Sequence, residues 1–272
     1  MKHLGSKIIK GIVIFASCLT FGVLLFLIAY ILINGVPNLT PELFSLKYTT
    51  ENVSMLPSII NTIMMTCCSL IVAVPLGIFT AIYLVEYAKK GNKIVGLIRV
   101  TAETLSGIPS IVYGLFGMLF FVTYLEWGYS IIAGAATLAI MVLPLIMRTT
   151  EEALLAVPDS YREASFGVGA GKLRTVFKVV LPSAMPGILS GVILAIGRIV
   201  GETAALIYTA GTVADISKSL LSSGRTLAIH MYVLSSEGLY TNQAYATAVV
   251  LLVFVLIINF LSSAIAKKFA SK

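Results

Sequence analysis

Residues 11–33 read GIVIFASCLTFGVLLFLIAYILI, twenty-three positions without a charged side chain. A helix needs about 20 apolar residues to cross bilayer hydrocarbon, and this run supplies them. Lys2, His3, Lys7 and Lys10 precede it, as in a secretory signal. The apolar region of such a signal covers only about 7–15 residues and ends at a small-residue cleavage site. No such site follows here, so the run reads as a retained first helix. Its apolar residues do not alternate with polar ones, as a barrel strand would require.

Five further runs pass the same test: 58–85, 106–125, 130–147, 187–210 and 244–266. Pro75 kinks the second, Gly107 and Pro109 interrupt the third early, and Pro144 lies near the end of the fourth. Ser54 stands as a possible cap before the second. Composition agrees: 58% of the 272 residues are hydrophobic, 11% are charged, and the mean hydropathy is +0.99. A water-facing globule carries roughly a quarter charged residues. The sequence therefore predicts an all-α polytopic membrane protein of about six spans, with residues 1–272 forming one transmembrane domain.

The net charge of +7 is distributed as membrane topology demands, not as a nucleic-acid surface. With the N-terminus inside, the inner segments hold fifteen basic residues: Lys2, Lys7, Lys10, Lys89, Lys90, Lys93, Arg99, Arg148, Arg162, Lys172, Arg174, Lys178, Lys267, Lys268 and Lys272. The outer segments hold three, Lys47, Lys218 and Arg225. That asymmetry predicts a cell-membrane protein with both termini cytoplasmic. Cys18, Cys67 and Cys68 lie inside apolar runs without metal-ligand spacing and read as packing residues. Trp127 and Tyr129 read as interfacial aromatics, and His230 as an outer-loop residue.

The inner segment 151–185 carries the strongest motif. Asp159 or Ser160 can cap a short helix, Gly167, Gly169 and Gly171 offer a stop and a turn, and Lys172–Val180 forms a second amphipathic stretch leading to Leu181-Pro182. Glu163-Ala164-Ser165, Gly169 six residues after Glu163, and Val179-Val180-Leu181-Pro182 together resemble the cytoplasmic loop of binding-protein-dependent ABC importer permeases. Ser165 and Val179 depart from that family's Ala and Ile. The resemblance implies that this loop, through Glu163, Ala164, Gly169, Leu181 and Pro182, docks on a separate ATPase subunit, and that the fold is the type I importer permease fold. Gly171-Lys172 is not a phosphate-binding loop, because Phe166 and Leu173 stand where Gly and Ser or Thr are needed. No cofactor or metal is expected, and no ATP site of the chain's own.

Arg198 and Glu202 lie inside the fifth run, flanked by Gly197 and Gly201. An arginine at the centre of a membrane helix costs about 2.5–3.5 kcal/mol on insertion scales, so it needs a partner or a polar cavity. The i, i+4 spacing predicts an ion pair on one helical face. Two roles stay open: a self-neutralising bridge, or a pathway in which Arg198 offers its fork to an oxyanion while Glu202 prevents trapping. Arg148, at the inner end of the fourth run, is a weaker pathway candidate beside Glu151 and Glu152, and Glu103 either pairs with Arg99 or faces the bundle.

Gly107-Ile108-Pro109-Ser110-Ile111-Val112-Tyr113-Gly114, Arg148-Thr149-Thr150-Glu151-Glu152-Ala153-Leu154 and Gly197-to-Ala205 resemble the phosphate transport system permeases of the PstA type over nearly the whole chain. That resemblance implies inorganic phosphate as cargo, a PstC-type sister permease, paired ATP-binding cassette ATPase subunits, an extracytoplasmic phosphate-binding protein and a lipid environment. It ties Arg198 and Glu202 to phosphate passage. The alternatives are a permease for another oxyanion or small nutrient, and a non-transporting membrane scaffold or sensor. An intramembrane enzyme is disfavoured, since Asp159 and Asp215 are the only aspartates and neither histidine lies in a run.

Overall fold

Long apolar stretches with few breakers dictate long helices, and the computed structural model, which describes residues 2–89 and 91–270, contains no strand among them. Lys90 and Lys272 of the inner charge count lie outside the described residues, and the side chains of Lys2, Lys7, Lys267 and Lys268 lie outside the described side chains. The chain runs through α1 (Lys2–Gly35), α2 (Leu56–Ile82) and α3 (Lys93–Ser106), then α4 (Ser110–Gly117), α5 (Ile131–Leu155) and α6 (Asp159–Gly167). There follow α7 (Lys172–Thr175), α8 (Leu181–Val200), α9 (Ala204–Ile207), α10 (Leu227–Glu237) and α11 (Thr241–Ala270). Three π-helical segments extend α2 (Tyr83–Tyr87), extend α4 (Met118–Tyr124) and join α7 to α8 (Val176–Val180).

Among the described residues five helices are long and apolar enough to cross a membrane, and a sixth candidate is the pair Lys93–Ser106 and Ser110–Tyr124, bent by 102°. The expected span 106–125 is thus the outer limb of a broken span. Its inner limb, α3, lies where the sequence reading placed a loop. Pro109 has no N–H to donate and biases Ile108 away from helix, so α3 stops at Ser106. The fourth span continues two turns past 147 to Leu155. The fifth begins earlier than 187, because α7, the π segment and α8 form one rod from Lys172 to Val200. The wide turn at Val176–Val180 lets the rod pass Pro182, whose ring would clash with a carbonyl of the preceding turn in a tight helix. That rod ends at Val200 instead of reaching 210.

In lipid, helix association gains from close packing and satisfied polar groups more than from expelling water. Accordingly α2, α5 and α8 meet through small residues: Gly77 lies on Ile146, Gly191 on Thr149 and Gly187 on Ala153. The central cluster includes Met65, Leu138, Met141, Ile146, Ile199 and Leu206. A second cluster at the inner end joins Ile82, Leu84, Leu154, Val157, Val180 and Ile188. Hydroxyls inside the bundle bond back to their own helices, as in Thr62 to Ser58 O, Ser69 to Met65 O and Thr137 to Ala133 O. By contrast, α1 is exposed along most of its length and touches α11 near its outer end, where Gly35 sits against Tyr245.

The outer connections pack into a cap. Fully buried Asn61 donates to the Asp215 and Arg225 carbonyls (3.0 and 3.4 Å), and its Oδ1 accepts from Ser217 N–H (3.0 Å). His230 belongs to α10, not to a loop; it is buried edge-on to Tyr48, whose ring also carries the Arg225 guanidinium at 4.8 Å. Neither ring nitrogen of His230 has a hydrogen-bond partner, nor do Nε and Nη2 of Arg225. Burial first, and the Arg225 charge second, lower the His230 pKa to about 3; the Val53 backbone pulls the other way without a bond of normal geometry.

Two outcomes are expected. Gly191→Val drives its side chain into Thr149 and should cost about 1–3 kcal/mol, read as a lower melting temperature of the detergent-solubilised protein. Gly11→Val, with open space around it, should leave melting unchanged. The folded-state pKa of His230 lies below its unfolded value of about 6.5, so the unfolded chain takes up a proton first. Stability should therefore fall as pH drops from about 6.5 toward 3, by about 2 kcal/mol at pH 5. His230→Leu should flatten that part of a melting-versus-pH profile.

Candidate functional site

Two helix breaks face one another inside the bundle. The first is the bend between α3 and α4; the second follows Val200, where Gly201 ends α8. Gly114 of α4 approaches the backbone of Ala205 so closely that no Cβ fits, which brings the limbs beyond both breaks together. Tyr113, 4% exposed, donates its hydroxyl to Leu105 O at 2.8 Å, in the last turn of α3, beside the Ile108 N–H that bonds the same carbonyl at 3.1 Å.

Arg198 lies in the last turn of α8 and is half-buried. The expected i, i+4 ion pair to Glu202 does not form. Helical spacing holds only while the helix continues, and Glu202 lies past its end. Its Oε1 instead accepts from Ala205 N–H at 3.1 Å and completes the start of α9. Among the described residues no ion pair reaches Arg198. The self-neutralising bridge is thereby replaced by an arginine at a helix break, free of carboxylate partners.

Arg148 is exposed, 3.6 Å from Glu152 with both side chains more than half accessible, so the pair is weak. Arg99 pairs at 2.5 Å with Glu151, which is largely buried, and not with Glu103. Arg99, Glu103, Arg148 and Glu151 line a cavity of about 170 Å³ between α3 and α5. Arg198 and Glu202 are not among its walls.

The motif segment folds as α6, a reversal, and the rod of α7 and α8. Pro158 occupies the N-cap position, and no side chain caps α6. Asp159, expected as a cap, lies in the first turn and bonds Arg162 at 3.2 Å. Gly169 has φ +82°, a left-handed conformation in which its N–H reaches Phe166 O (2.9 Å) and the next N–H, of Ala170, reaches Ser165 O (3.1 Å). This pairing closes the C-terminus of α6 and requires glycine at that position. Ser165, a departure from the family pattern, shares a 2.8 Å hydrogen bond with Thr175 of α7. Glu163, Ala164 and Gly169 are exposed beside apolar Tyr161, Phe166, Val168 and Leu173, whereas Leu181 is half-buried and Pro182 exposed at the start of α8.

Sequence reasoning missed Arg162 as anything more than a topology charge. Its guanidinium contacts Glu86 at the end of α2, 2.8 Å away, with the two side chains 14% and 9% exposed. The available signal was Glu86 itself, an acid at the inner end of an apolar run beside the lysines that follow it.

A family model described as "Binding-protein-dependent transport system inner membrane component" matches residues 73–272. The chain is 33% identical over 276 residues to YqgI of Bacillus subtilis, described as a probable ABC transporter permease protein, covering 95% of this chain and 94% of that one. It is 32% identical to a phosphate transport system permease protein PstA homolog of Mycoplasma pneumoniae, over 92% of this chain but only 39% of that longer protein. Among solved structures, a bacterial alginate ABC transporter in complex with an alginate pentasaccharide-bound periplasmic protein superposes with a TM-score of 0.63 at 15% identity, over 93% of this chain and 95% of that one. At that identity the likeness concerns the fold.

The geometry at Gly169 yields a specific expectation. A Cβ there meets nothing within 4 Å, so Gly169→Ala should not clash, yet holding a non-glycine residue in the left-handed region costs about 1–2 kcal/mol. Amide hydrogen exchange should accelerate at Ala170 and around α6 and stay unchanged in α5.

Proposed function

The chain belongs to the binding-protein-dependent transport system inner membrane component family, and on that premise we propose that it passes inorganic phosphate inward across the cytoplasmic membrane. It is a multi-pass membrane protein, the channel-forming permease subunit of an ABC importer and not its ATPase, and it has the all-α type I importer permease fold.

The observation that carries the phosphate reading is Arg198. An arginine within the bundle, at a helix break and without a carboxylate partner, leaves its fork for an oxyanion. Discontinuous helices near the middle of a transporter are where substrate groups are recognised, since the backbone is irregular only where it faces protein or a cavity. Glu202 takes part by fixing the second break through Ala205 N–H, not by clamping the guanidinium. The phosphate permease named among the relatives supports the same cargo. Arg148 serves at the inner mouth, in the polar cavity it shares with Arg99.

In this reading residues 1–272 work as one permease unit paired with a PstC-type sister. An extracytoplasmic phosphate-binding protein delivers cargo to the cap. A separate ATP-binding cassette pair docks on the exposed face of α6, at Glu163, Ala164 and Gly169 with the apolar side chains around them. Leu181 and Pro182 open α8, the part of the rod that leads to Arg198. Both termini are cytoplasmic, as the basic residues of the inner segments require. The chain itself performs no covalent chemistry; ATP binding and hydrolysis in the partner drive alternating access.

Reconstituted importer should take up labelled phosphate in preference to sulfate and molybdate, with phosphate-stimulated ATP hydrolysis. Arg198→Ala should lower phosphate uptake at least tenfold while the complex still assembles, and Arg198→Lys should restore part of it. Uptake at the wild-type rate in Arg198→Ala would remove the arginine from the pathway.

A further inference from the structure

We propose that Arg162 is a positioning residue that couples the docking helix to the inner ends of α2 and α5, so that a push on α6 moves those spans directly. The inference rests on the importer reading and goes beyond it by naming the mechanical link.

The guanidinium carries five N–H donors in a fixed plane, and here five hydrogen bonds use them. Nε and Nη2 both donate to Glu86 Oε1 (3.1 and 2.8 Å), at the end of α2. Nη2 also donates to Leu154 O (2.9 Å), in the last turn of α5. Nη1 donates to Val157 O (2.7 Å), just beyond α5, and to Asp159 Oδ1 (3.2 Å), in the first turn of α6. One side chain thus ties three elements, two of them separated by 76 residues of sequence.

Little else holds α6 down. It has no buried residue and no side-chain cap, and none of its residues belongs to the apolar cluster beneath it. Its other side-chain tie, Ser165 to Thr175, leads into α7 and hence to α8. Docking force on α6 therefore has two exits: through Ser165 to the rod bearing Arg198, and through Arg162 to α2 and α5. The second is the stiffer, because a planar fork loses all its bonds together when it rotates. With the Arg162 and Glu86 side chains only 14% and 9% exposed, water has little access to replace the arginine. Lysine offers one nitrogen and cannot reproduce the set.

The experiment uses the whole importer with two variants, Arg162→Lys and Glu86→Gln, each close in size to the native residue. ATPase co-purification, ATP hydrolysis and substrate uptake are measured on the same proteoliposomes. Both variants are expected to retain the ATPase and hydrolyse ATP within about twofold of wild type, while substrate moved per ATP falls at least fivefold. Wild-type coupling in both assembled variants overturns the proposal. Loss of assembly in both overturns it as well, making the pair a folding element and not a transmitting one. The importer reading fails separately, and takes this inference with it, if the wild-type chain carries no ATPase subunit.

Discussion

Bilayer hydrocarbon supplies no hydrogen bonds, so each interruption of a membrane helix must find acceptors and donors within the protein. This constraint organises the molecule. Where α3 stops, Tyr113 and the Ile108 N–H share the Leu105 carbonyl; where α9 starts, Glu202 accepts the Ala205 N–H, and the Leu206 and Ile207 N–H groups bond Thr203 O. A break so well supplied is fixed in place, which allows a charged side chain to stand beside it. Arg198, half-buried, lies in the last turn before the second of these breaks.

The same economy links the two functional regions. Lys172–Val200 is a continuous rod that starts just after α6 and whose far end bears Arg198. It packs on α5 through Gly187 and Gly191, residues that let the two helices approach without interlocking side chains at those points. The cluster around Leu154 and Val180 then holds α2, α5 and the rod together at one end of the bundle. The segment α6 precedes the first turn of that rod, and Arg198 lies in its last.

How much of this was legible depends on the range of the interactions. Apolar runs announce spans because length and polarity are local properties, and the spacing from Glu163 to Pro182 is local too. The first break is partly visible as Gly107 and Pro109, whereas α3, which carries Arg99 and Glu103, does not announce itself as a limb of a span. The end of α8 was hidden. Gly201 differs little in sequence from Gly197, which sits four residues earlier in an unbroken turn, and only the packing of Ala205 on Gly114 separates them. Arg162 with Glu86 and Arg99 with Glu151 join distant parts of the chain, and nothing in one sequence selects those partners over nearer ones. Burial of His230 was likewise invisible, since its neighbours Tyr48 and Arg225 come from different connections.

The first helix has a different standing from the others. In the single chain its apolar window is entirely unburied, and the family model begins at residue 73, beyond it. Ile12, Phe15 and Leu19 are exposed in the chain itself, while Gly35, pressed against Tyr245, leaves no room for a side chain. The chain thus holds α1 near the end where it meets α11, and leaves the rest of its apolar surface to lipid or to a neighbouring protein.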